Sequence, residues 1–124
     1  MEDKRLKQFT FYDLYYESLK GLPDEAAGRM AKNICRFMFI NEDIPEPQDD
    51  RENFFWSNIK DVLKDVKRIE ERGRKPKNLN EKMPHFTFTD TYGKALKLMT
   101  DTESGQYIKA ICEYMFFGTE RNGS

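Results

Sequence analysis

One histidine, two cysteines, one tryptophan and no long apolar run define this chain first by what it does without. Acid–base catalysis needs positioned groups with tuned proton affinity, usually more than one. The single His85, between Pro84 and Phe86, has no Ser or Cys at a spacing that would pair with it. Cys35 and Cys112 are too few for a disulfide framework, and the chain has no Cys-x-x-Cys or His-x-x-x-His pair. No catalytic residue, metal ligand or cofactor is therefore expected. Glycine-rich phosphate loops are also missing; Gly118 and Gly123 read as punctuation. Nothing approaches the roughly 18 apolar residues of a membrane span. The first residues are charged rather than apolar, so no signal peptide is expected and a reducing cytosol is. Charge of one sign is scarce too. The 21 basic and 22 acidic residues leave a formal net charge of −1, which argues against a surface that grips nucleic acid all over.

What the chain has in quantity is aromatic residues and self-similarity. Phe, Tyr and Trp make up 14% of 124 residues, and each buries much area, so a small number can close the core of a single domain spanning residues 1–124. Phe9-Thr10-Phe11 returns as Phe86-Thr87-Phe88, an offset of 77, and the match continues without a gap. Asp13, Tyr15, Leu19, Lys20, Asp24 and Gly28 recur as Asp90, Tyr92, Leu96, Lys97, Asp101 and Gly105. Lys32, Ile34, Cys35, Met38 and Phe39 recur as Lys109, Ile111, Cys112, Met115 and Phe116. These identities mark a tandem duplication, with repeats over 9–43 and 86–120.

Thr10-Phe11-Tyr12-Asp13 and Thr87-Phe88-Thr89-Asp90 have capping-box spacing, which predicts a helix over about 11–21 and its copy. Phe11, Tyr15, Leu19 and Leu22 would share one face, matched by Phe88, Tyr92, Leu96 and Met99. Gly21-Leu22-Pro23-Asp24 breaks that helix and starts a second over about 24–40. Its inward residues would be Ala27, Met30, Ala31, Ile34 and Met38, and in the copy Ser104, Tyr107, Ile108, Ile111 and Met115. Thr100 and Glu103 offer the copy a true capping box. Gly28 and Gly105 fall mid-helix, where glycine costs about 1 kcal/mol relative to alanine. Close approach of the first helix is the expected compensation. Residues 41–53, with two prolines and many acids, read as a loop. A long helix over about 51–72 follows, with Phe55, Ile59, Val62, Val66 and Ile69 stepping by four, three, four and three, widened by Trp56 and Leu63. Gly73 ends it, and a linker runs over about 73–85.

The expected fold class is all-α: a compact five-helix domain of two related hairpins and one long helix. The spans 11–39 and 88–116 should superpose as antiparallel helix pairs, and a strand in either, or different handedness in the two, would sink the duplication argument.

Phe-x-Phe-Tyr-x-x-Tyr-Tyr-Glu-x-Leu-x-x-Leu-Pro-Asp-Glu, at Phe9 to Glu25, continues into Gly28-Arg29 and Ile34-Cys35-Arg36-Phe37. An aromatic helix then ends in Gly-Arg-Lys-Pro-Lys at Gly73 to Lys77. Over residues 9–78, and again over 86–118, this resembles a family of small proteins encoded by phages and prophages of Gram-positive bacteria, a domain of unknown function. The resemblance implies a phage setting near replication genes and the cytoplasm of a bacterial host, and it brings no established activity. The family pattern has one copy and a basic tail; this chain adds a second hairpin.

Two surfaces are candidates for binding. Lys60, Lys64, Lys67, Arg68, Arg72, Arg74, Lys75 and Lys77 place a basic stripe and extension where phosphates could be tracked, with Asp61 and Asp65 interleaved. Glu42, Asp43, Glu46, Asp49 and Asp50 make an acidic loop suited to docking a basic protein or to partial mimicry of a nucleic acid. Tyr12 and Tyr16 fall off the first helical stripe and become Thr89 and Gly93 in the copy; with Trp56 and Phe117 they are the candidate aromatic contacts. The favoured function is a non-enzymatic phage accessory protein that binds a macromolecule. Its partner would be a host or phage protein of defence, such as a CRISPR nuclease, or of nucleic-acid metabolism. The alternative is direct DNA binding in a replication module. Because the second hairpin lacks a long helix of its own, a homodimer is expected, joined through that hairpin or the long helix.

Overall fold

The computed structural model describes residues 5–73 and 84–118. Phe9-Thr10-Phe11 and Phe86-Thr87-Phe88 alternate aromatic and β-branched residues, a period of two that suits a strand with one buried face. They form β1 (Gln8–Tyr12) and β2 (His85–Thr89), paired antiparallel with Thr10 opposite Thr87 at the centre. Exchanging each residue for its equivalent 77 positions away maps the ribbon onto itself: Gln8 faces Thr89 as Tyr12 faces His85. The symmetry extends past the strands. Asp13 N–H donates to the Pro84 carbonyl at 3.0 Å, and Asp90 N–H donates to the Lys7 carbonyl at 2.9 Å. Phe9, Phe11, Phe86 and Phe88 lie on the buried face, with Phe11 stacked on Phe88 at 5.2 Å between centroids.

Each strand leads into a short helix and then a long one. In the first unit these are α1 (Asp13–Leu19) and α2 (Asp24–Ile40). The unit is followed by α3 (Asp50–Glu71). In the second unit they are α4 (Asp90–Lys97) and α5 (Asp101–Phe117). The five expected helices are present, but the all-α class is overturned by the two-stranded sheet. The strands also enter the spans expected to be purely helical, at residues 11–12 and 88–89. The expectation of strand-free spans is therefore wrong; the strands enter at sequence-equivalent places, so each half runs strand–helix–helix. Thr10 and Thr87 are strand residues rather than caps; the N-caps are Tyr12 and Thr89, neither with a side-chain cap bond. The linker expected over 73–85 is shorter at its end, because His85 opens β2. Thr100 and Glu103 form the capping box as the spacing requires.

The two units interlock where α2 crosses α5. A Cβ on Gly28 would sit 1.8 Å from the Asp101 carbonyl oxygen, and one on Gly105 would sit 1.8 Å from that of Asp24. The mid-helix glycines therefore admit the partner unit's long helix, and not the short first helix expected from the sequence. Two lysines close the crossing from equivalent sides. Lys32 Nζ donates to the Met99 carbonyl at 2.7 Å and to Asp101 Oδ1 at 3.0 Å. Lys109 Nζ donates to the Leu22 carbonyl at 2.8 Å and to Asp24 Oδ1 at 2.9 Å.

The stripe of α3 is buried inside the chain: Phe55, Trp56, Ile59, Leu63 and Val66 are in the core, with Val62 packed against it. The helix packs on α1, β1 and α2, all of the first unit. Asp49 caps it by accepting from Glu52 N–H at 2.9 Å. Glu70 Oε2 accepts the Thr10 N–H at 3.0 Å and so covers part of the ribbon edge. Ile69 at the end of the stripe is half-buried, so most of the stripe is used within one chain, while Phe54 beside it is 69% exposed.

Candidate interaction surfaces

The duplicated frame allows each half to be compared with the other, and α3 is the largest described element without a counterpart. In the first unit Met30, Ile34 and Met38 of α2 are each no more than 1% exposed. Their equivalents on α5 are Tyr107 and Ile111, both half-buried, and Met115, 41% exposed. Tyr114 and Phe117 on the same helix are also exposed. A largely apolar helix face is thus exposed on α5 where the equivalent face of α2, the helix that α3 packs on, is buried.

The candidate aromatics divide sharply. Tyr12, Tyr16 and Trp56 are buried, which corrects their reading as outer contacts, whereas Phe117 is 62% exposed. Tyr12 is a strand residue packed against the Tyr15 and His85 rings, and Trp56 packs edge-on against Phe55 at 5.0 Å. Tyr16 is held by its hydroxyl, which donates to Glu113 Oε2 at 3.3 Å. Burial first, then the Glu113 carboxylate, pushes the Tyr16 phenol up to about 12.

Of the basic stripe, Lys60, Lys64 and Arg68 are exposed on α3, and Arg72 is exposed just past its end. Lys67 is engaged, bonded to Glu71 at 2.6 Å with its ammonium 5.4 Å from the Phe37 ring. Arg68 reaches Asp65 at 3.4 Å. Arg74, Lys75 and Lys77 lie outside the described residues. In the acidic loop Glu42, Asp43, Glu46 and Asp50 are exposed. Asp49 instead serves the fold as the α3 cap, and the Glu52 amide bond, followed by Arg51, holds its carboxyl below the usual range.

Sequence reasoning missed one feature. A cavity of about 480 Å³ opens beside Gly93 of α4. Its floor is Leu6, Cys35, Phe39 and Ile40, and its polar lining is Arg5, Lys7, Lys32, Arg36, Lys94 and Lys97, with Asp90. The exchange of Tyr16 for Gly93 between the repeats was the available signal, but it reads as the loss of an exposed ring when the ring is in fact buried.

Cys35 and Cys112 are both free and buried. Burial pushes the Cys35 thiol up to about 12 and raises that of Cys112 as well. Native protein should therefore react with a thiol reagent at least tenfold more slowly than denatured protein, which should titrate as two thiols per chain; fast native labelling would refute the burial. Among the described residues, no three His, Cys, Asp or Glu side chains converge on a point that could hold a metal ion, and no helix is long and apolar enough to cross a membrane. Comparison with protein-family models, curated proteins and solved structures finds no match.

Proposed function

We propose that this chain is a non-enzymatic binding protein that docks another protein through the uncovered face of α5. The observation that carries this reading is the contrast between Met38, fully buried beneath the first unit's cover, and its equivalent Met115, 41% exposed on a helix that also exposes Tyr114 and Phe117. Contiguous exposed apolar and aromatic residues are the usual anchors of protein interfaces. In the phage setting that the family resemblance implies, the partner is a host protein of defence or nucleic-acid metabolism.

Affinity capture from host lysate tests this, with and without nuclease. A protein partner that survives nuclease and is lost with Met115→Glu supports the reading. Because Met115 is already exposed, that substitution should leave the thermal midpoint within a few degrees of the parent. Capture unaffected by Met115→Glu would reject the face. Light scattering reports whether a second copy occupies it: a mass near 14.8 kDa leaves the face open, and twice that mass, halved by Met115→Glu, places a second copy there.

Exposed Lys60, Lys64 and Arg68 on one side of α3 favour a second reading, direct contact with nucleic-acid phosphates. If they bind a duplex, affinity should fall steeply with salt, and each charge removed should reduce the log–log slope by roughly one unit. The absence of measurable duplex binding at low salt would remove this reading.

A further inference from the structure

The first unit shows what normally fills the cavity beside Gly93. There the equivalent residue is Tyr16, 6% exposed. Its ring lies 6.3 Å from Phe116 and 6.0 Å from Phe117, and its hydroxyl donates to Glu113. The residues that stand in those places around Gly93 are Phe39, Ile40 and Arg36, and all three line the cavity. A Cβ built on Gly93 would meet the side chains of Cys35 and Phe39 at 3.4 Å, so the wall reaches the glycine as it reaches Tyr16 in the other half. The cavity thus lies where the other half holds an aromatic ring: Phe39 keeps one aromatic wall, and Ile40 replaces the other.

Its charge has changed with it. Around Tyr16 stand Glu17 of its own unit and Glu113 of the other; at the equivalent places around Gly93 stand Lys94 and Arg36. Lys97 retains the charge of Lys20, and Lys7 adds another cation to the lining. Where the Tyr16 hydroxyl finds an acceptor, a ring in the second slot would find a guanidinium, and so must carry an acceptor. Arg36 Nη1 donates to Asn33 Oδ1 at 2.9 Å, which orients the group and uses one of its five N–H donors. Lys94 is only loosely tied, 3.8 Å from Asp90. A volume of about 480 Å³ is within the range of small-ligand sites.

We propose that this cavity binds a nucleotide. The base occupies the slot vacated by the tyrosine ring, against Phe39, and the phosphate lies among Arg36, Lys94 and Lys97. Aromatic walls accept any base by stacking, and clustered Lys and Arg groups hold its phosphate. The same chemistry is offered by a free mononucleotide and by an unpaired nucleotide of a single strand. The site is distinct from the uncovered face of α5 and does not rest on that face having a partner.

Calorimetric titration of the full chain at low salt tests it, with thymidine monophosphate, a six-residue oligothymidylate and inorganic phosphate as probes. One saturable site for either nucleotide, with inorganic phosphate at least tenfold weaker, is the expected result. Equal affinity for the two nucleotides identifies the free species as ligand, and an oligonucleotide at least tenfold tighter identifies the strand; both support the site. Gly93→Tyr restores the ring of the other half and should weaken binding at least tenfold, with a thermal midpoint equal to or above the parent's because tyrosine is a better helix former than glycine. Arg36→Glu, at an exposed position of α2, should weaken binding as much and serves as the test should Gly93→Tyr not fold. Unchanged affinity in either folded variant overturns the proposal. So does inorganic phosphate binding as tightly as the nucleotides, or no binding of any nucleotide to the parent chain.

Discussion

Gly28→Ala should destabilise the protein by about 2–3 kcal/mol, although alanine is the better helix former by about 1 kcal/mol. The added Cβ would fall 1.8 Å from the Asp101 carbonyl oxygen and 2.6 Å from the Gly105 nitrogen. Both are backbone atoms in the first turns of α5, so no side chain can swing aside. The helices must separate, and Lys32 and Lys109 would lose their reach to the opposite helix start. Gly105→Ala should cost a similar amount, because its Cβ would meet the Asp24 carbonyl at the same 1.8 Å. Gly21→Ala is the control. Nothing lies within 4 Å of its Cβ, so that substitution should be neutral or slightly stabilising. Urea unfolding of the three variants checks the order. If Gly28→Ala or Gly105→Ala were as stable as Gly21→Ala, the close crossing of α2 and α5 would be wrong.

Arg29→Ala should cost about 3 kcal/mol. Arg29 Nε donates to Glu52 Oε2 at 3.0 Å, and its Nη2 reaches the same oxygen. Glu52 is 2% exposed, at the start of α3, and its other oxygen accepts from the Gln48 N–H at 3.1 Å. Removing the arginine leaves a buried carboxylate held by the Gln48 amide, whereas removing the glutamate leaves Arg29, a quarter exposed, able to turn to water. Arg29→Ala should therefore be the more damaging of the two single substitutions. The paired replacement Arg29→Met with Glu52→Leu should recover most of the loss. Chemical denaturation of this set measures the difference. A loss below about 0.5 kcal/mol for Arg29→Ala would place the pair among ordinary surface ion pairs. The same variant should raise binding of a hydrophobic dye, since this pair pins α3 to α2, where Met30, Ile34 and Met38 are buried.

The identities at an offset of 77 establish the repeat without any structure. The proline break, the period of the long helix and the Thr100–Glu103 box place α2, α3 and α5, because each signal acts within a few residues of itself. The same reading took Phe-Thr-Phe as the start of a helix. That error has a definite cause: a five-residue strand has no stable partner in its own neighbourhood, and β1 and β2 supply each other's hydrogen bonds across the long stretch of sequence between Thr10 and Thr87. Burial of Tyr12, Tyr16 and Trp56 was misread for the same reason. Position on a helical wheel says which residues share a face, but not which distant element covers it.

Mid-helix glycines at Gly28 and Gly105 announced a close approach, yet only the pairing of the two units decided that each admits the other's long helix. Pairing likewise turned the exchange of Tyr16 for Gly93, legible in the sequence only as the loss of an outer ring, into a cavity. What the sequence determined by itself is the unit and its local periods. The tertiary structure alone decided how one unit closes on its copy, what α3 covers, and what the second half therefore leaves open, because hydrogen-bond satisfaction and burial depend on chain segments too far apart for local pattern to connect.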